Sequence, residues 1–243
     1  MGQTAMLNVE NVSVLRGNVT TLMNVTLQLE QGQTLAVVGE SGAGKSTLIA
    51  AILGLLKPSN GQITWAGAPV NDCKPTLVMQ EPRAAFNPRL SLHQSVLEPV
   101  RNQLAADRLS RLCAGLELPE DVLERRPREV SIGQAQRAGI IRALISKPSL
   151  VLFDEPLSAL DAVTQKHSAR LIAELQQQEG FAALIVTHDI GYAVAHADEI
   201  AVLRSGRIEE IAQPDTFARH PQSAYGRTLR DAAVALGGLE VMT

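Results

Sequence analysis

The segment Gly39-Glu40-Ser41-Gly42-Ala43-Gly44-Lys45-Ser46-Thr47 sets G-x-x-x-x-G-K-S/T spacing between an apolar run, Thr34–Val38, and a helix-patterned run, Leu48–Leu56. That order confines the fold to those in which a buried strand feeds a helix through a glycine-rich loop. The chemistry explains the spacing. Backbone N–H groups from Gly39, Ser41, Gly42, Ala43 and Gly44 close around phosphate oxygens, and the helix that follows points its positive end at them. Lys45 reaches the β- and γ-phosphates, Ser46 can ligate Mg²⁺, and Thr47 completes the cradle. A ligand-free glycine-rich turn is disfavoured, because the strand and helix that a nucleotide loop requires stand on both sides.

Composition narrows the setting. With 243 residues the chain can bury a sizeable core, yet no apolar run approaches the ~20 residues of a membrane-spanning helix. Met1-Gly-Gln-Thr-Ala-Met6 has no basic segment followed by an apolar one, so no secretory signal is expected and membrane contact would come through a partner. A net charge of −3 without a Lys/Arg run argues against nucleic acid as an obligate ligand. Cys73 and Cys113 are too few and too scattered for a disulfide framework or metal cluster, and read as reduced thiols.

Strand-like runs lie at Leu7–Val14, Thr21–Leu29, Thr34–Val38, Gln62–Trp65, Thr76–Met79, Leu150–Phe153, Ala182–Val186 and Ile200–Leu203. Turn signals at Gly17-Asn18, Gln31-Gly32 and Asn60-Gly61 make the early part antiparallel, while later strands alternate with helices as in a covered parallel sheet. Between Pro82 and Pro148 strand signals vanish. Helical periodicity at Leu92–Leu104 and Ala105–Leu116 predicts a helical insertion there.

Leu150-Val-Leu-Phe-Asp154-Glu155 is a buried strand ending in two carboxylates, suited to hold Mg²⁺ through its waters (Asp154) and to polarise an attacking water (Glu155). Four more segments follow in order: Gln80 after Thr76–Met79, Val130-Ser131-Ile132-Gly133-Gln134 before Gln136-Arg137, Ser158-Ala159-Leu160-Asp161, and Thr187-His188-Asp189. Singly each is weak, since a Gln or His at a strand end is most often a satisfied polar group and Asp161 also suits an N-cap for a helix starting near Ala162. Together with the phosphate loop they resemble the Q-loop, signature, D-loop and H-loop of ABC-type ATPases, over essentially the whole chain.

That resemblance implies an α/β fold: a P-loop NTPase core of ABC type with an antiparallel β subdomain and an inserted α-helical subdomain. Residues 1–243 then form a single nucleotide-binding domain, with 1–81 and 149–243 as ATPase core and 82–148 as the helical subdomain bearing the signature. ATP and Mg²⁺ are the implied cofactors, and Ser46, Gln80 and Asp154 the implied metal contacts. Glu155, His188 and Gln80 fall in catalytic positions, with His188 at the γ-phosphate and Gln80 at metal or water. In such ATPases two subunits face head to tail, so Ser131, Gly133 and Gln134 would serve the partner's ATP, and Asp161 lies in the D-loop. ATP would then favour the closed pair over the open one, and hydrolysis would release it.

Val78-Met-Gln80-Glu-Pro-Arg-Ala-Ala-Phe86-Asn-Pro-Arg89, Glu98-Pro99 and His220-Pro221-Gln-Ser-Ala-Tyr225-Gly-Arg227-Thr-Leu229 are similar to segments of peptide, nickel and metallophore importer ATPases. The chain lacks the cysteine-rich extension of longer members, like short subunits of nickel and opine-metal systems. The implied setting is the cytoplasmic face of the cell inner membrane, with a second ATPase subunit, two integral permease subunits and, indirectly, a solute-binding protein. A soluble ABC ATPase of repair or translation would carry tandem ATPase domains or a long coiled-coil insertion. A non-hydrolysing regulatory subunit would not call for Glu155 and His188.

Two positions depart from the family pattern. Arg16 stands where an aromatic ring usually stacks on adenine; a guanidinium can also stack, or Arg16 is a solvated strand-end charge with adenine packed elsewhere. Ile132 replaces the first signature glycine, and its branched Cβ restricts backbone conformation and close approach. The isolated subunit, paired with itself, should therefore hydrolyse ATP slowly. Ile132→Gly should raise that activity markedly while changing a mixed pair less, as steady-state hydrolysis of all four combinations at matched concentration would show. Equal, high activity of the wild-type subunit alone would make Ile132 harmless.

Overall fold

The computed structural model describes residues 6–100, 106–157, 160 and 162–239. The strands are β1 (Leu7–Arg16), β2 (Val19–Leu29), β3 (Thr34–Val38), β4 (Asn60–Trp65), β5 (Ala68–Pro69), β6 (Thr76–Val78), β7 (Leu150–Asp154), β8 (Ala182–Thr187), β9 (Glu199–Arg204) and β10 (Arg207–Ala212). The helices are α1 (Lys45–Ile52), α2 (Leu92–Leu97), α3 (Ala106–Gly115), α4 (Ile132–Leu144), α5 (Ala162–Glu179), α6 (Ile190–His196), α7 (Pro214–Arg219) and α8 (Ala224–Ala235). Met1–Pro75 with Ala182–Thr243 make one compact unit, and Thr76–Phe181 another.

In the first unit β2, β1, β4 and β5 form an antiparallel sheet in that order. Gly17, at φ +60, turns β1 into β2, where Arg16 faces Val19. Leu7, Val9, Val12 and Val14 are buried, so the inward face changes parity between Val9 and Val12. The cause is a bulge: Glu10 pairs with Gln62 and Ser13 with Asn60, leaving Asn11 and Val12 opposite Gly61 alone. Asn60-Gly61 is thus not a hairpin turn. Gly61 is needed there because a Cβ would lie 2.3 Å from the Glu10 carbonyl oxygen.

A second layer of this unit has β3 flanked by β8 and β9, both parallel to it, with β10 antiparallel on β9. β3 and β8 are buried along their whole lengths, which is why they read as continuous apolar runs. Ala36, Val38, Ile200 and Val202 pack with Ile190, Ala193, Phe217 and Tyr225 from the closing helices.

The second unit pairs β6 with β7 in parallel, Thr76 to Val151 and Val78 to Phe153. Among the described residues no strand falls between Pro82 and Pro148. The helical pattern expected over Leu92–Leu104 yields only α2, ending at Leu97 just before Glu98-Pro99; residues 101–105 lie outside the described set. Arg108, 7% exposed, ties three helices together: Nε and Nη2 donate to the Ile145 and Leu144 carbonyls at the end of α4, and its guanidinium pairs with Glu179 of α5 at 2.9 Å. A cation at a helix C-terminus satisfies carbonyls that have no intrahelical donor.

Candidate nucleotide site

β3 delivers the chain to the phosphate loop, where Gly39 and Gly44 have steric reasons and Gly42, with open space around it, has only its φ of +84. A Cβ on Gly39 would meet the Leu203 carbonyl oxygen at 2.1 Å, and one on Gly44, at φ +113, would meet the Thr21 carbonyl oxygen at 2.8 Å. Gly44 is the N-cap of α1, so the helix begins at Lys45, three residues before the apolar pattern starts. No acidic residue occupies its first turn, which leaves the positive helix end suited to an anion. Ser41, Gly42 and Ser46 are exposed, Ala43 and Thr47 buried. Lys45 is 7% exposed, and its Nζ donates to the Gly39 and Glu40 carbonyls at 2.7 and 3.0 Å. The lysine thereby holds the loop's own backbone closed.

His188 follows the last residue of β8. Because Val38 is in register with Thr187, His188 leaves the sheet beside the strand that leads into the glycine-rich loop. Asp189 starts α6 by accepting from the Tyr192 N–H at 2.9 Å, and its own N–H donates to Thr187 Oγ1, which fixes the backbone on the far side of His188. Burial pushes the Tyr192 hydroxyl pKa up and lowers that of His196 in α6. Arg16, exposed at the end of β1, lies in the hairpin whose second strand backs Gly44 through Thr21 and Leu22.

In the second unit β7 ends at Asp154, and Glu155 follows with φ +45, a left-handed conformation that costs a residue with Cβ about 1–2 kcal/mol. Seven other described non-glycine residues also adopt a positive φ, so the conformation by itself assigns Glu155 no role. Gln80 comes to the same place, its Nε2 donating to Glu155 Oε2 at 3.3 Å. Ser131 is the N-cap of α4 in a capping box: its Oγ accepts from the Gln134 N–H at 3.1 Å, and Gln134 Oε1 accepts from the Ser131 N–H at 2.9 Å. Ile132, 42% exposed, is the first residue of that helix and adopts no positive φ, so its side chain imposes no conformational restriction within this chain. What remains of the expected obstruction is steric bulk toward an approaching molecule. A Cβ on Gly133 would make only ordinary contact with Thr164 Cγ2 at 3.7 Å. Ser158, Ala159 and Asp161 lie outside the described residues.

Each unit holds oxygen donors of a kind Mg²⁺ accepts: the first a hydroxyl at Ser46, the second, by itself, a carboxylate at Asp154 and an amide oxygen at Gln80. Among the described residues no His/Cys/Asp/Glu group forms an all-protein metal cage, and Mg²⁺ characteristically takes few protein oxygens and completes its octahedron with phosphate and water. A groove of about 380 Å³ lies beside Gln80, lined by Met79, Pro82, Ala85, Pro99, Gln136 and Arg142. Sequence reasoning gave no site role to Tyr225, whose hydroxyl accepts from the Glu40 N–H at 2.9 Å, nor to Gly206, whose N–H donates to the Ala43 carbonyl at 2.8 Å. Their partners lie 185 and 163 residues away in sequence, beyond the reach of local patterns.

Residues 22–158 match the family model described as ABC transporter. The oligopeptide transport ATP-binding protein OppF of Escherichia coli is 35% identical over 225 residues, 86% of this chain and 67% of that protein. The nickel import ATP-binding protein NikE of Shigella dysenteriae is 35% identical over 232 residues, 88% of this chain and 85% of that one. A dimeric ATP-binding cassette solved in a post-hydrolysis state with ADP and Pi superposes with a TM-score of 0.76 at 28% identity, over 86% of this chain and 99% of the other.

The left-handed Glu155 gives a test of strain kept for chemistry. Glu155→Gly should stabilise the fold by about 1 kcal/mol in denaturant unfolding while removing turnover. A destabilised Glu155→Gly protein would show that the strain is compensated by contacts of the carboxylate.

Proposed function

The chain belongs to the ABC transporter family of ATP-binding subunits, and we propose that it hydrolyses ATP to energise an importer of peptides, nickel or a metal chelate. The reading rests most on the phosphate loop: a helix N-terminus without acidic residues, Lys45 drawn into the loop, and His188 brought alongside by the β3–β8 register. OppF and NikE lend the substrate class. Residues 1–81 and 149–243 act as the ATPase core, and 82–148 as the helical subdomain.

Gly39, Ser41, Gly42, Ala43 and Gly44 form the loop that closes around the phosphates, the Ala43 N–H bracing it on the Glu40 carbonyl, and Lys45 exchanges its carbonyl partners for β- and γ-oxygens. Ser46, Asp154 and Gln80 hold Mg²⁺, which neutralises phosphate charge when bound. Thr47 steadies the cradle, and Arg16 stacks on the base. Glu155 orients and polarises the attacking water, with Gln80 steadying its carboxylate and His188 reading the γ-phosphate. Ser131, Gly133 and Gln134 serve the nucleotide of a second ATPase subunit across a head-to-tail pair, and Asp161 takes the D-loop part in nucleotide binding that the family pattern gives it. No described helix is long and apolar enough to cross a membrane, so attachment to the cytoplasmic face of the inner membrane runs through two permease subunits, with a solute-binding protein acting indirectly.

Glu155→Gln should keep ATP affinity but lose most turnover, whereas Lys45→Ala should weaken binding itself. Wild-type hydrolysis by Glu155→Gln in the assembled transporter would remove Glu155 from the role of base. The groove beside Gln80 should receive a cytoplasmic helix of the permease, so cysteines placed between Arg83 and Arg89 should crosslink to permease loops. Crosslinking found only on the opposite sheet face would refute this docking mode.

A further inference from the structure

The segment His220–Leu229 folds into a bracket on the phosphate loop, a use to which none of the hydrolytic roles above assigns it. Its foundation is Glu210, an 8% exposed carboxylate in β10 whose Oε2 accepts from the Gln222 and Ser223 N–H groups at 2.6 and 2.8 Å. Ser223 Oγ caps α8 by accepting from the Gly226 N–H at 2.8 Å, and Gly226 must lack a side chain because a Cβ would sit 1.9 Å from Glu210 Oε1. Arg227 donates back to the Pro221 and Gln222 carbonyls and closes the bracket. The start of α8 is thereby fixed in place and direction, and Tyr225 lies in its first turn.

Tyr225 is 9% exposed, its ring covered by the Arg204 guanidinium at 4.6 Å from the centroid. Its hydroxyl oxygen accepts the Glu40 N–H at 2.9 Å, while the Glu40 carbonyl accepts from Lys45 Nζ and from the Ala43 N–H at 3.0 and 3.1 Å. The second residue of the loop is therefore gripped at both ends of its backbone: its carbonyl by the Ala43 N–H and by Lys45, which must move when phosphate arrives, and its N–H by Tyr225, which need not. We infer that Tyr225 is a positioning residue for nucleotide binding: its hydroxyl holds the Gly39-Glu40 segment in the binding conformation after Lys45 turns to the phosphates. The inference rests on reading Gly39–Thr47 as the ATP site. Preorganisation of this kind acts on affinity for any nucleotide bearing the β-phosphate and leaves the chemical step alone.

Equilibrium displacement of a fluorescent ATP analogue by ATP and by ADP, on the full chain, separates the two claims. Tyr225→Phe keeps the ring under Arg204 and leaves the Glu40 N–H without its acceptor. It should weaken ATP and ADP alike by roughly 5- to 20-fold. In the assembled transporter kcat at saturating ATP should stay within about twofold, with KM for ATP raised in step with the lost affinity. Arg204→Met, which loosens the ring but keeps the hydroxyl, should give a smaller loss of the same kind. Binding of both nucleotides by Tyr225→Phe within about twofold of wild type would overturn the inference. So would a lowered melting temperature with unchanged affinity, the mark of a brace with no bearing on the loop. Loss of ATP but not ADP binding would overturn it too. Should Tyr225→Phe fail to fold, Arg204→Met decides, and unchanged binding there is equally fatal. Wild-type affinity in Lys45→Ala would instead sink the reading of the loop as the ATP site.

Discussion

The backbone ladder that holds β3 between β8 and β9 is the constraint on which the nucleotide site depends. Five consecutive buried residues bring the chain to Gly39 in a fixed register, with Thr187 level on one side and Val202 on the other. From there the loop has no freedom to drift. Gly39 passes against the Leu203 carbonyl, Gly44 against Thr21, and Gly206 donates to Ala43, so neighbours on three sides are backbone atoms that cannot rotate away. A loop held in this manner has little backbone rearrangement left to undergo when an anion arrives, and such preorganisation is the condition under which backbone dipoles bind strongly.

The same unit shows how buried charge is made tolerable. Glu210 lies inside a strand, and two backbone N–H groups at the start of α8 answer its Oε2, while Oε1 is buried against Gly226 without a hydrogen-bond donor. Arg108 of the other unit does the converse, placing a buried cation on the carbonyls that end α4 and completing its bonding with Glu179. In both cases the side chain bonds backbone groups at a helix end that the helix would otherwise leave to water.

Where the sequence was legible, burial was uniform or alternation clean: β3, β7 and β8 were found within a residue or two, since a strand covered on both faces leaves an unbroken apolar run. β10 was missed because Arg207-Ile-Glu-Glu-Ile-Ala212 carries Glu210 at its most buried position, which inverts the hydrophobic pattern. Asn60-Gly61 carried the composition of a hairpin turn, but the same positive-φ permission serves a bulge, and only the pairing of β1 with β4 tells the two apart. The candidate residues of the site were legible because glycine, lysine and carboxylate spacings are chemical. Tyr225 and Gly206 were not, because their roles exist only through contacts between distant segments.

The capping box at Ser131 and Gln134 has a consequence for the surface that the start of α4 presents. A hydroxyl that accepts a backbone N–H at its oxygen still has its own proton to give, and the cap sets the direction in which that proton is offered. The start of α4 is thus frozen by its own two side chains rather than by a visitor, so little rotamer freedom is left to lose at the moment of contact. Ile132, half-exposed on that rigid first turn, then acts as a spacer of fixed height. Any surface that packs against the start of α4 has to accommodate that branched side chain.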